Sequence, residues 1–173
     1  MIIDPKIGDK VKKLVRQHQT RDPQTLAEAL HIRVRYFDQP TRLNGLYTVI
    51  LNRPIILLRP QLSPWQENLV LAHELGHHCL HRQALKELGF FGDLSKGWLE
   101  TRYELEANLF AAHLLLPDEA ILNALADERD LQDIAGQLNV PLDVLGIKFK
   151  ALEKEYPHLS FPYQPPINLF HFE

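Results

Sequence analysis

The run His73-Glu74-Leu75-Gly76-His77 constrains this chain more than any other, because it separates two imidazoles by four positions. On an α-helix such residues lie nearly above one another, about 6 Å apart along the axis, so both rings can point a nitrogen at one metal ion. Glu74 is turned by about 100° from His73, where a hydrolytic zinc site has its general base. The run therefore predicts a helix that carries two zinc ligands and a catalytic carboxylate.

A catalytic zinc site needs a third protein ligand and one open position. Leu80 and Gln83 stand where a metzincin has Gly and His, so that class is excluded. Acidic residues follow on a second helical segment, where Glu100 and Glu104 share nearly the same stripe and Glu106 is turned about 200° from Glu104. Glu104 is the predicted third ligand, and Glu100 is the alternative.

The residues around Glu104 suit a helix packed closely against the first one. Asn108 shares the face of Glu104, and its amide can hydrogen-bond a ligating imidazole and fix the ring, as metal sites commonly require. Ala107 and Ala111 are small enough for a close approach. Gly76 indicates the same approach, because glycine inside a helix costs about 1 kcal/mol relative to alanine.

Four segments carry a resemblance to a known family: HELGHHCLH at 73–81, ELEANLFAAHLLLP at 104–117, and LAEALHIRVRYFD and NGLYTVILNRPIILL upstream. Over most of residues 24–122 the chain resembles the ImmA/IrrE metallopeptidases. The resemblance implies one Zn2+ per chain, with Glu104 as the glutamate of the family's E-x-x-A-N pattern. It also implies a bacterial or phage enzyme that cuts a protein substrate, a helix-turn-helix repressor encoded nearby. His113 departs from the family pattern, which often has an acidic residue there.

Hydrophobic patterning predicts an α+β, zincin-like fold in which a small mixed or antiparallel sheet packs on helices. Strands are predicted at 33–37, 46–51 and 55–58, with a turn at Asn52-Arg53-Pro54. The patterns also predict helices at 9–18, 24–30, 64–81, 100–112, 131–138 and 142–152, and one beginning at Asp118.

The expected organisation has three parts. Residues 1–122 would form the peptidase domain, and residues 123–156 would form a helical subdomain that contains a C-terminal hairpin. Residues 157–173, rich in proline and aromatic side chains, would form an irregular tail.

Several features bear on how a substrate would be held. In zincin-like enzymes the edge strand above the metal accepts an extended peptide, so either 46–51 or 55–58 is a candidate. Residues 83–97 contain three glycines and predict a loop, where Phe90 and Phe91 would cover the cleft or pack within the loop. Four side chains are candidate donors to an oxyanion: Tyr36, Tyr47, Tyr103 and His113.

Two further residues of the metal helix have simpler interpretations. His81 lies about 12 Å along the axis from His73, beyond ligand distance. It is expected at the helix C-terminus, where partial negative charge favours a protonated imidazole. Cys79 is turned about 240° from His73 and is expected to be a small buried hydrophobe.

Composition fits a cytoplasmic enzyme, since 173 residues make one domain of ordinary size and a net charge of −3 gives no broad attraction to nucleic acid. The single cysteine excludes an intramolecular disulfide, and no apolar run approaches a membrane span of about 18 residues. Two other functions stay open: a non-catalytic, metal-dependent module that sequesters a repressor, and a DNA-binding regulator. The second would use Lys148 and Lys150, but Asp143 and Glu153 beside them favour a helical hairpin instead.

Overall fold

A computed structural model describes residues 6–88, 97–126, 130–138 and 140–156. The fold is α+β, as predicted. Among the described residues, no helix is both long enough and apolar enough to cross a membrane. The elements, in chain order, are α1 (Ile7–His18), α2 (Pro23–Ala29), β1 (Arg33–Tyr36), β2 (Gly45–Ile50), β3 (Arg53–Leu58), α3 (Pro64–Leu88), α4 (Gly97–Leu115), α5 (Asp118–Ala126), α6 (Leu131–Leu138) and α7 (Leu142–Glu155).

The three strands form a mixed sheet in the order β1-β3-β2, with β3 parallel to β1 and antiparallel to β2. The hairpin between β2 and β3 turns at Leu51 and Asn52, whose φ angles of 49° and 66° are those of a two-residue left-handed turn. The turn predicted at 52–54 is therefore displaced, and Arg53 and Pro54 belong to β3. Pro54 is tolerated because pairing of β3 with β1 begins only at Ile55.

Side-chain caps fix where two helices begin. The Asp22 carboxylate accepts a hydrogen bond from the Thr25 backbone N–H at 2.7 Å, and Pro23 occupies the first turn of α2. Before α3, the backbone N–H of Ser63 donates to the side-chain oxygen of Gln66 at 2.9 Å. The cap at Ser63 sets the start of the helix that carries both predicted histidine ligands.

Helix α3 continues to Leu88, so the predicted end near His81 is wrong. The segment QALKEL at 83–88 consists mostly of strong helix formers, and the first helix breaker after it is Gly89. Residues 83–88 are thus helix rather than loop. The rest of the predicted loop, with Phe90 and Phe91, lies largely outside the described residues, as does the tail 157–173.

Helices α3 and α4 pack closely where their smallest residues meet. A Cβ atom added at Gly76 would lie 3.0 Å from the Ala107 Cα and 3.1 Å from the Ala107 carbonyl oxygen. Leu75 and Phe110 are buried beside this crossing. The close approach predicted from Gly76 and Ala107 is confirmed, and it brings together the stretches of the two helices that carry the predicted ligands.

The C-terminal helix α7 closes the core through Val144, Leu145, Phe149 and Leu152, which are all buried. Lys148 is also buried completely, and its ammonium group bonds Asp118 and His113. A lysine in this position cannot reach a phosphate. The hairpin interpretation therefore accounts for α7 better than DNA binding does.

Candidate metal centre

The structure brings His73, His77 and Glu104 together around one point. The two histidine Nε2 atoms are 3.0 Å apart, and each lies 3.2 Å from a different oxygen of the Glu104 carboxylate. All three possible ligand atoms fall within 4.8 Å of one another. Both rings are buried, whereas 47% of the Glu104 side chain is exposed, so the cluster faces solvent on the side of α4. The side chain of Glu100, the alternative ligand, lies outside the described residues.

Asn108 determines which nitrogen of His73 faces this cluster. Its side-chain oxygen lies 2.8 Å from His73 Nδ1, and an amide oxygen can only accept, so His73 donates from Nδ1. When Nδ1 carries the single proton of the ring, the lone pair of Nε2 points at the Glu104 carboxylate, which is also an acceptor. Two acceptors 3.2 Å apart repel each other, and a cation bound between them removes that repulsion. A metal ion is such a cation, so the donor set fits one.

Glu104 is held in its ionised form. Burial raises the pKa of its carboxyl, but the adjacent imidazoles of His73 and His77 outweigh burial and bring the pKa well below its usual range. An ionised carboxylate is the form that ligates a metal. The site therefore offers two imidazoles and one negatively charged oxygen ligand.

Glu74 lies beside the ligands but in a different environment. Burial raises the pKa of its carboxyl to about 7. Two smaller effects lower that pKa: the charge of His77 and a hydrogen bond that the carboxylate accepts from the Tyr47 backbone N–H. Its side chain is packed under the first residue of β2, since a Cβ atom at Gly45 would come within 2.6 Å of Glu74 Oε1. A desolvated carboxylate of this kind is suited to proton transfer near neutral pH.

The sheet order identifies the strand nearest the site. Strand β2 lies at an edge of the sheet, and its first residue, Gly45, contacts Glu74. Strand β3 is central and paired on both sides, so the candidate at 55–58 is excluded as an edge. Of the two predicted substrate strands, only β2 has a free edge in the described sheet.

The four candidate oxyanion donors each have another partner. The Tyr36 hydroxyl donates to Glu67 at 2.8 Å, and the Tyr47 hydroxyl is hydrogen-bonded to His78 Nδ1 at 3.0 Å. The Tyr103 ring stacks on His81, with the ring centroids 4.3 Å apart. His113 Nδ1 accepts a hydrogen bond from Lys148 at 2.9 Å. Burial lowers the pKa of His78 to about 4, and a neutral ring can accept from the Tyr47 hydroxyl. These contacts leave the oxyanion donor unassigned.

The interpretation of His81 as a protonated helix-terminal residue is wrong, because α3 continues for almost two further turns. His81 is buried, and burial lowers the pKa of its imidazole to about 4. Its Nδ1 lies 3.2 Å from His77 Nδ1, and its Nε2 lies 3.0 Å from a Glu106 oxygen. Glu106 points away from the metal cluster, as its spacing indicates, but it is buried and bonded. Sequence reasoning missed this second contact between the helices.

Comparison with known proteins adds independent information. A peptidase family model described as the IrrE N-terminal-like domain matches residues 27–150. Uncharacterized immunity region protein 2 of Bacillus phage phi105 is 31% identical over 142 residues, covering 80% of this chain and 85% of that protein. Metallopeptidase ImmA of Bacillus subtilis strain 168 is 28% identical over 151 residues, covering 84% of this chain and 85% of that protein.

Proposed function

The chain belongs to the metallopeptidase family of the IrrE N-terminal-like domain, and we propose that it is a zinc-dependent endopeptidase acting on a protein substrate. The observation that carries this proposal is the convergence of His73, His77 and Glu104 beside the buried carboxylate of Glu74. Two imidazoles and one carboxylate are a common ligand set of catalytic zinc, which keeps its fourth position open. The half-exposed Glu104 leaves the cluster accessible from solvent.

When bound, zinc would polarise the scissile carbonyl and lower the pKa of a water from 15.7 to about 7. The chain's own contribution is proton transfer. Glu74 takes a proton from the attacking water onto its carboxylate and passes it to the leaving amine. Burial keeps the pKa of that carboxyl close to neutrality, so both steps are accessible to the same group. Asn108 holds His73 in the orientation that the ligand set needs.

The edge of β2 is the proposed cradle for the substrate. An extended segment added along this edge would run past Gly45, directly over Glu74. We further propose that the substrate is a DNA-binding repressor encoded near the gene of this chain. A phage relative named an immunity region protein is consistent with a substrate of that class.

The test uses wild type, Glu74→Gln and a matched control, Glu67→Gln. Glu67 lies two turns earlier on α3 and bonds Tyr36 rather than the cluster. Each purified protein is analysed for metal and incubated with the neighbouring repressor, whose fragments are identified by mass spectrometry. All three proteins should contain one equivalent of zinc, but only wild type and Glu67→Gln should cut the repressor. Cutting by Glu74→Gln would refute the proposed mechanism, and absence of zinc from wild type would refute the metal assignment.

The two other functions predict different outcomes of the same experiment. A non-catalytic binding module would retain zinc and bind the repressor, yet wild type would not cut it. A DNA-binding regulator is disfavoured by charge, because Lys148 is buried and Lys150 is paired with Glu153 at 2.8 Å. DNA binding that weakens with added salt and is lost when Lys150 is substituted would support that alternative.

A further inference from the structure

A chain of hydrogen-bonding groups leads away from the metal cluster on the side opposite Asn108. It begins at His77, whose Nδ1 lies 3.2 Å from His81 Nδ1. It continues from His81 Nε2 to Glu106 Oε2 at 3.0 Å and ends where Arg102 Nε donates to Glu106 Oε1 at 2.8 Å. We propose that His81 and Glu106 are positioning residues that orient His77 for metal binding. This inference rests on the proposed zinc site.

Because Glu106 is an acceptor, it determines which atom donates in each hydrogen bond of this series. Arg102 holds the group as a carboxylate, which can only accept, so His81 must donate from Nε2. An imidazole that carries its single proton on Nε2 has a lone pair on Nδ1, which here faces His77 Nδ1 at 3.2 Å. His77 therefore donates from Nδ1 and keeps the lone pair of Nε2 free for the metal. The carboxylate thus determines the tautomer of a ligand that it does not touch.

Packing holds the intermediate ring in place. Only 3% of the His81 side chain and 6% of the Glu106 side chain are exposed, so both groups are largely withdrawn from solvent. The Tyr103 ring stacks on His81 with an interplanar angle of 25° and a centroid separation of 4.3 Å. Because Glu106 and Tyr103 belong to α4, this helix positions His77 through His81 as well as supplying Glu104.

Asn108 and the pair His81 and Glu106 thus have equivalent tasks. Asn108 orients His73 through one direct bond of 2.8 Å, whereas Glu106 orients His77 through an intervening imidazole. Both Nδ1 atoms are engaged, and both Nε2 atoms face Glu104. Loss of either contact would leave one ligand free to rotate or to change tautomer.

The test measures zinc affinity directly, by competition between the apo-protein and a chromophoric chelator. His81 and Arg102 bond different oxygens of Glu106, and Glu106→Gln replaces one of these oxygens with an NH2 group, which cannot accept. His81→Phe keeps a ring against Tyr103 but removes both nitrogens. Each change should weaken zinc binding by about 10- to 100-fold. His81→Gln retains one donor and one acceptor and should restore part of the affinity, while Glu67→Gln should bind as wild type does.

Thermal unfolding of each apo-protein separates positioning from a merely structural role. A structural role would lower the melting temperature and leave the zinc affinity of the folded protein unchanged. Should one variant fail to fold, the comparison passes to the other. Wild-type affinity in folded Glu106→Gln and His81→Phe would overturn this inference alone. A wild-type protein that binds no zinc would overturn the proposed function together with it.

Discussion

Replacing Gly76 with alanine tests whether close approach of the backbones builds the metal site. In a helix interior this change alone should stabilise the protein by about 1 kcal/mol, because alanine loses less conformational freedom on folding. At Gly76 the new methyl group would lie 3.0 Å from the Ala107 Cα, 3.1 Å from the Ala107 carbonyl oxygen and 3.2 Å from the Phe110 Cβ. None of these atoms can turn aside as the end of a flexible side chain can. Overpacking of this kind typically costs about 1–3 kcal/mol, so we expect a net destabilisation of up to about 2 kcal/mol.

Gly136 provides the matched control. It lies inside α6, and a Cβ atom there would meet nothing within 4 Å. Gly136→Ala should therefore raise the free energy of unfolding by about 0.5–1 kcal/mol. Both variants are measured as apo-proteins by denaturant unfolding, and their zinc affinities are measured by chelator competition. Gly76→Ala should also bind zinc more weakly, since α4 must move away from α3 and carries Glu104 with it. Equal stabilisation by the two substitutions would refute the reasoning.

Two further changes test other parts of the structure. Gly45→Ala should reduce peptidase activity at least about 10-fold while zinc content is kept, because a Cβ atom 2.6 Å from Glu74 Oε1 must displace that carboxylate; activity equal to wild type would contradict the contact. Asp118→Asn should make the free energy of unfolding less dependent on pH in the acid range. Burial raises the pKa of Asp118, but hydrogen bonds from Lys12 and Lys148 outweigh burial and bring it to about 2, below the ordinary 3.8. The stabilisation is then present above about pH 4 and lost as pH falls towards 2, and unfolding measured across this range should show a weaker pH dependence in the variant.

Local signals in the sequence sufficed for the elements that they specify directly. The cap at Ser63, the imidazoles four residues apart and the alternation at 33–37 each depend on near neighbours, and the structure has a helix or strand at each place. The predicted end of α3 is wrong because the glycines that follow Leu88 indicate a loop, whereas the residues at 83–88 are mostly strong helix formers. Strand order could not be predicted, because the parallel pair of β1 and β3 joins strands that are separated in the chain by β2.

The contact between His81 and Glu106 shows what spacing on one helix cannot reveal. Angles about the axis of α3 place His81 too far from the metal to be a ligand, which is correct, but they say nothing about the helix packed alongside. Angles about α4 turn Glu106 away from Glu104, and on an isolated helix that direction would mean solvent. Once Gly76 allows the two helices to touch, the same direction leads into a buried interface, where a carboxylate must find a partner. The motif therefore identifies the proposed ligands, whereas the small residues that set the distance between the helices determine which other groups support them.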